Sequence, residues 1–83
     1  MEIKIGVVED YFVKVSVIAV KLEDELKIGD KIHIKGHTTD FIQEVDSIQI
    51  EHQKVFSANK GDSVGIKVKE RCRKGDVVYK IVE

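Results

Sequence analysis

Apolar residues recur at every second position through most of this chain, and many of them are β-branched. A period of two is typical of β-strands, in which successive side chains point to opposite faces. The pattern predicts about six strands with short connections, which is typical of an all-β barrel or sandwich. The predicted core residues, one or two from each strand, are Ile5, Val15, Val17, Ile32, Ile34, Ile48, Ile50, Val64, Ile66 and Val78.

Three similar stretches, KIGDKIHI, KGDSVGI and KGDVVYKI, place a Gly-Asp pair where a loop meets a strand. Glycine adopts positive φ without steric cost, and an aspartate side chain can bond the nearby backbone of a tight turn. A phosphate loop would need a glycine-rich run that opens a helix, and a calcium loop would need closely alternating carboxylates. We therefore predict turns at Gly29-Asp30, Gly61-Asp62 and Gly75-Asp76. Gly65 is predicted to mark a bulge or a close backbone approach.

Composition narrows the class of protein. The 83 residues predict one domain, residues 1–83, and a hydrophobic share of 42% is enough for one compact core. The net charge of −1 argues against whole-molecule attraction to nucleic acid or to a membrane. A single cysteine excludes an internal disulfide, and no apolar run is long enough to span a membrane. These features predict a cytoplasmic protein.

Catalytic and metal-binding patterns are weak in this sequence. Glu44 and Asp46 would share one strand face, which is more simply read as exposed surface. Four residues could in principle ligate zinc but lack tight spacing: His33, His37, His52 and Cys72. Cys72 is expected to be a small core or rim residue, although a Cys–His nucleophilic pair stays open. We therefore expect no enzymatic activity, no cofactor and no metal.

A basic row is the one pronounced electrostatic feature. If the strand that begins at Ser63 continues to Arg73, its alternate residues point the same way and form candidates for RNA binding: Lys67, Lys69, Arg71, Arg73 and, at the end, Lys74. Such a row matches the spacing of a phosphate-binding surface. The alternatives are a solvated strand that protects a sheet edge and a surface that meets an acidic protein.

Four motifs in a fixed order carry a family resemblance: KIGDKIHI, SIQIEH, the turn ANKGDSVG and a final RKGDVV. From about Val13 to Lys80 the chain resembles domain 2 of translational GTPases, the elongation factors that deliver aminoacyl-tRNA. It looks most like small stand-alone elongation factor-like proteins, and a similar barrel ends some collagenase-peptidase-like proteins involved in RNA modification. The resemblance implies a closed six-stranded Greek-key barrel. No P-loop is present, so we expect no GTP binding by this chain alone.

The resemblance also implies a pocket for the 3′-terminal adenosine of tRNA. The positions that match the family's pocket are Gln49, Gly61, Asp62, Ser63, Val64 and Gly65. Gln49 stands where the family usually has a glutamate. The loop at 23–25 is acidic, where the family usually has arginine and glycine.

Two functional hypotheses follow. The first is a non-catalytic translation-factor-like module that binds RNA or the ribosome. The second is a protein-interaction subunit that docks on a separate enzyme or GTPase without contacting RNA. The basic row favours the first hypothesis, and the low net charge favours the second.

Overall fold

The structure, a computed structural model, describes residues 1–82, so that Glu83 of the predicted domain lies outside it. The described residues form ten β-strands. No helix among these residues is long and apolar enough to cross a membrane. In chain order the strands are β1 (Glu2–Phe12), β2 (Val17–Lys21), β3 (Leu26–Lys27), β4 (Lys31–Lys35), β5 (Asp40–Glu44), β6 (Ile48–Ile50), β7 (Gln53–Val55), β8 (Ser57–Ala58), β9 (Ser63–Lys67) and β10 (Val77–Ile81).

Eight strands form one antiparallel sheet in the order β5-β4-β10-β1-β2-β9-β6-β7, and β3 pairs with β8 as a separate ribbon. We call β5-β4-β10-β1 the first half-sheet and β1-β2-β9-β6-β7 the second half-sheet. The all-β prediction is confirmed, but the sheet is an open, curled half-barrel with free edges at β5 and β7. The predicted closed six-stranded barrel is not what this pairing shows.

The free edge at β5 is nevertheless tied to the second half-sheet. The Gln43 side chain donates to the carbonyl of Lys67 at 2.9 Å and accepts from the N–H of Lys69 at 2.8 Å. A side chain therefore makes the link that backbone pairing would make in a closed barrel, because a glutamine amide offers both a donor and an acceptor.

Strand β1 belongs to both half-sheets, and two register shifts let it bend between them. One shift lies between Lys4 and Gly6, opposite β10, and the other between Val8 and Asp10, opposite β2. A β-carbon on Gly6 would overlap Val20 Cγ1 and lie 2.9 Å from the carbonyl oxygen of Lys21. Only glycine fits there, because β1 and β2 approach too closely for a side chain.

Most of the predicted core is confirmed. Seven predicted residues are buried: Ile5, Ile32, Ile34, Ile48, Val64, Ile66 and Val78. The prediction for Val15 is wrong, because 57% of its surface is exposed. Val17 and Ile50 are only half-buried. The physical reason is that residues 13–16 form a turn, so β2 starts at Val17 and points Ile18 and Val20 inward instead.

Two predicted strands are shorter than their alternation suggested. Alternation through Ile48, Ile50 and His52 predicts one continuous strand, but this segment is a hairpin, in which Glu51 and His52 both have positive φ and reverse the chain between β6 and β7. Strand β9 ends at Lys67, so the strand predicted to continue to Arg73 is also wrong. Alternation alone does not show where a strand stops pairing.

The three Gly-Asp turns share one construction, which confirms their prediction. In each turn the glycine has φ between 94° and 96°, and the aspartate carboxylate accepts a hydrogen bond from the N–H three residues earlier. These bonds run from Lys27 to Asp30 (3.0 Å), from Asn59 to Asp62 (2.7 Å) and from Arg73 to Asp76 (2.8 Å). The pairs therefore turn the chain.

Gly65 does not mark a bulge, since it pairs regularly with Ala19 on one side and Gln49 on the other. A β-carbon there would lie 3.1 Å from Val17 Cγ1, which is a side-chain contact and not a backbone approach. The bulges lie in β1 instead.

Candidate interaction surfaces

The first half-sheet has a polar outer face, on the side away from the core. One row of paired positions crosses its four strands through Lys4, Tyr79, His33 and Ile42. The inward neighbours Ile32, Ile34 and Val78 are all buried. We call this surface the first outer face.

His33 holds the first outer face together. Its Nδ1 lies 2.9 Å from a carboxylate oxygen of Glu2 on β1, and its Nε2 is hydrogen-bonded to the carboxylate of Asp40 on β5. The hydrogen bond with Asp40, followed by that with Glu2, raises the pKa of His33 above its ordinary value of 6.5. The Tyr79 ring packs beside it, with ring centroids 6.3 Å apart. We call the Glu2–His33–Asp40 group the histidine clasp.

The second half-sheet presents a different outer face. A row of core positions crosses it through Tyr11, Ile18, Ile66, Ile48 and Val55. Residues on the two sides of a strand alternate, so the rows next to this one point outward.

We call that surface the second outer face. Its centre consists of Val17, Ala19 and Gly65, which are half-buried although no strand covers them. It is therefore a smooth, weakly polar surface in the middle of the half-sheet.

Two exposed aromatic side chains flank the second outer face. Phe12 pairs with Val17 at one side and is 48% exposed. Phe56 follows β7 at the other side, is 86% exposed and lines a cavity together with Lys54. Beside Phe56 lies a cavity of ≈ 170 Å³, lined in part by Ile28, Ile48 and Val55.

The charges on the second outer face are mostly positive. Lys21, Lys54 and Lys67 share it with Asp10, which pairs with Ala19. None of the three lysines takes part in the ion pairs found among residues 1–82, which join Lys4 to Glu23 and His33 to its two carboxylates.

The structure separates the five predicted RNA-binding residues, although all five are exposed. Lys67 and Lys69 lie beside the turn at 13–16, since the N–H of Val68 donates to Ser16. Arg73 and Lys74 lie in the third Gly-Asp turn, next to Val8, because the N–H of Gly75 donates to the Val8 carbonyl. The segment that contains Arg71 connects the two places, so the residues do not form one straight row.

The predicted pocket residues are also spread over the second half-sheet. Gln49 and Gly65 are cross-strand neighbours on the second outer face. Val64 points into the core, Asp62 closes a turn, Ser63 begins β9, and Gly61 lines a separate cavity of ≈ 320 Å³ beside Leu22. Their role in binding stays a prediction.

The residues considered for catalysis or metal binding do not form a site among residues 1–82. Cys72 is buried, and this burial, followed by the charges of Asp76 and Glu70, raises the pKa of its thiol to about 12. A thiol with that pKa is not a nucleophile near neutral pH. Within residues 1–82, no three acidic, histidine or cysteine side chains are arranged to hold a metal ion. Glu44 and Asp46 are both exposed, and only Glu44 lies in a strand.

Sequence reasoning missed Phe12, Phe56, Val17 and Ala19 as components of a surface. The available signal was an aromatic residue at each of two strand ends, where polar residues are the rule. Their common face depends on the pairing of β1, β2, β9, β6 and β7, which the sequence alone did not provide.

Proteins similar to this chain are named as proteases. An uncharacterized protease of Methanocaldococcus jannaschii is 46% identical over 83 residues, which are 99% of this chain and 20% of that protein. A collagenase of Porphyromonas gingivalis is 43% identical over 72 residues, or 84% of this chain and 20% of that protein. The chain thus spans about a fifth of the length of these relatives. No family model matches the chain.

The fold is that of a solved peptidase domain. The C-terminal domain of a Geobacillus thermoleovorans protein described as a U32 peptidase has a TM-score of 0.86 and 21% identity, over 94% of this chain and 91% of that domain. A selenomethionine variant of the same domain gives a TM-score of 0.85 at 20% identity, over 90% and 95%. At this identity the likeness concerns the fold.

These findings correct the translation-factor interpretation. The relatives that match along the chain carry protease and collagenase names, and the structural neighbour is a peptidase domain. Identification as an elongation factor-like protein, and the RNA- or ribosome-binding module that followed from it, is therefore wrong. The motifs that suggested it include the Gly-Asp turns of the sheet, which stabilise the fold and do not identify a function.

Proposed function

We propose that this chain is a non-catalytic accessory domain that docks on the catalytic body of a U32-type peptidase. The observation that carries the proposal is the 46% identity along 99% of the chain to one fifth of a protein named as a protease. A segment that makes up a fifth of an enzyme and whose one thiol is buried is best explained as a domain that supports the enzyme's larger part.

The side chains of this chain support a binding role. The one thiol is buried and protonated, and both ring nitrogens of His33 are engaged by carboxylates. Neither group is free to attack a peptide bond, since a nucleophile and its base must be accessible and hydrogen-bonded to each other. The second outer face, in contrast, has apolar area that a protein partner could cover.

A binding experiment in trans tests the proposal. The Methanocaldococcus jannaschii relative is shortened by the segment that matches this chain, and the affinity of this chain for the shortened relative is measured by calorimetry. The relative's own excised segment is the positive control. We expect both to bind, with a dissociation constant of about 10 μM or tighter for this chain, or roughly −7 kcal/mol. Binding of the control but not of this chain would overturn the proposal.

A chimera covers the case in which the shortened relative binds neither segment. This chain replaces the matching segment of the relative, and amide hydrogen exchange in the chain is compared between the chimera and the free chain. Docking slows the exchange of exposed amides at the contact. Equal exchange rates at every amide would show that the chain hangs free of the enzyme, against the proposal.

A further inference from the structure

The two outer faces differ in the ion pairs that their own side chains form. On the first outer face His33 pairs with Glu2 and Asp40, and Lys4 lies 3.7 Å from Glu23. On the second outer face three lysines accompany one aspartate and two exposed aromatic rings. Exposed apolar area with a polar rim is characteristic of protein-binding surfaces.

The geometry of the second outer face suits a folded partner. It crosses five strands, and at about 4.8 Å between neighbouring strands its width is roughly 19 Å. Its centre, Val17, Ala19 and Gly65, has short side chains, which lets another backbone or a flat side chain approach closely. Phe12 and Phe56 stand at its two sides, and aromatic residues that become buried in an interface carry a large share of its binding energy.

The charge of the face defines its partner. Lys21, Lys54 and Lys67 form no ion pair among the described side chains. Lys21 shares a cavity with Glu9 and Glu23, and Lys54 shares one with Asp46, so a carboxylate of a partner gains most beside Lys67. The excess of positive charge is confined to this face, since the whole chain has a net charge of −1. The partner should therefore be apolar at its centre and acidic at its rim.

We propose that the second outer face is the docking surface of this chain, and that its occupant is an apolar, acid-rimmed surface on the catalytic body of a U32-type peptidase. This inference rests on the proposed function above and adds the location and the chemistry of the contact. The ring of Phe12, the ring of Phe56 and the ammonium group of Lys67 make the principal contacts.

Substitutions on the two faces test the assignment in the assay with the shortened relative. Phe12→Ser/Phe56→Ser should weaken binding about tenfold or more, because aromatic anchors carry a large share of interface energy. Lys67→Glu should weaken it about threefold or more and reduce its dependence on salt, since one ion pair is lost. All three residues are exposed, so the fold should be unaffected, which circular dichroism checks.

Matched controls lie on the first outer face. Ile42 has the same exposure as Phe12, 48%, and Lys31 is exposed like Lys67. Ile42→Ser and Lys31→Glu should each leave the affinity unchanged within about twofold, because neither residue lies on the second outer face. If the control variants lost binding to the shortened relative and the Phe12→Ser/Phe56→Ser variant kept it, the assignment of the docking surface would be wrong. The proposed function would still stand.

Other occupants give different results. A second copy of this chain would appear in sedimentation as a dimer that Phe12→Ser/Phe56→Ser dissociates, with no change in binding to the relative. A nucleic acid would appear as binding of a single-stranded RNA that Lys67→Glu abolishes, with no effect of that variant on the relative. Either result contradicts the inference. In the chimera of the preceding test, the expected result is slowed exchange at 12–17 and 54–56, and slowed exchange at 31–44 alone contradicts it.

Discussion

The first and second outer faces are built on the same curled sheet and share strand β1, yet they differ in what they leave unsatisfied. The first outer face pairs its histidine with two carboxylates from neighbouring strands. The second leaves Phe12 and Phe56 in solvent and its lysines without carboxylate partners among residues 1–82. The first outer face also exposes Ile42 and Lys31, but only the second exposes two aromatic rings, and these rings give it the larger gain from a partner.

The two faces nevertheless cover one core. The largest expected effect is the loss of stability when a residue of this shared core is truncated. Ile32 in the first half-sheet and Ile66 in the second are both fully buried. Ile32→Ala and Ile66→Ala should each lower the free energy of unfolding by about 2–5 kcal/mol, because each leaves a cavity in a shared core. Urea denaturation followed by far-ultraviolet circular dichroism measures both. A variant that unfolds one half-sheet and leaves the other protected from hydrogen exchange would show two independent units.

Strand β1 joins the two halves, and Gly6 is where it bends. Gly6→Ala should lower the free energy of unfolding by about 1–3 kcal/mol, because the added methyl group overlaps Val20 and approaches the Lys21 carbonyl. Gly65→Ala is the matched control, since its methyl group would meet only Val17 at 3.1 Å. We expect the control to have the smaller effect in the same denaturation experiment, and the reverse order would contradict the assigned bend.

Much of the fold could be predicted because its causes are local. The Gly-Asp turns depend on residues within four positions, and the inward isoleucines of β4 follow from alternation between two turns. Val15 was misassigned because the alternation of residues 13–17 is the same in a strand and in a turn that follows one. The surfaces depend on pairing between distant segments: His33 meets Glu2 across 31 positions, and Phe12 and Phe56 share a face only through three intervening strands. Periodicity contains no such register information.

The smallest expected effect is a pH dependence confined to the first outer face. A protonated His33 donates from both ring nitrogens, whereas the neutral ring donates from one only. The raised pKa of His33 means that its contribution is complete below pH 6.5 and is lost as the pH rises through the raised value. The hydrogen bond with His33 lowers the pKa of Asp40, so the contribution of Asp40 is present above its ordinary value of 3.8 and is lost as the pH falls through the lowered value.

The histidine clasp should therefore be most stabilising between pH 3.8 and 6.5. The charged groups around it include Lys4 on β1 and Lys35 on β4, and the Tyr79 hydroxyl is on β10. The thermal midpoint of the wild type should fall between pH 5.5 and pH 8 by more than that of His33→Gln, while the exposed His37→Gln control should follow the wild type. These pH values lie about one unit below and about one and a half units above the ordinary histidine pKa. Equal pH profiles for the wild type and His33→Gln would show that the clasp has no effect on stability.

The central claim, that this chain docks through its second outer face, is tested most directly by hydrogen exchange on the complex with the shortened Methanocaldococcus jannaschii relative. Exchange is recorded for the free and the bound chain at the same pH and temperature. The account predicts slower exchange in the bound chain at the turn 13–16 and around Phe56, with unchanged exchange at the turn 36–39 of the first half-sheet. Protection confined to residues 36–44, with residues 12–17 and 54–56 unchanged, would contradict it.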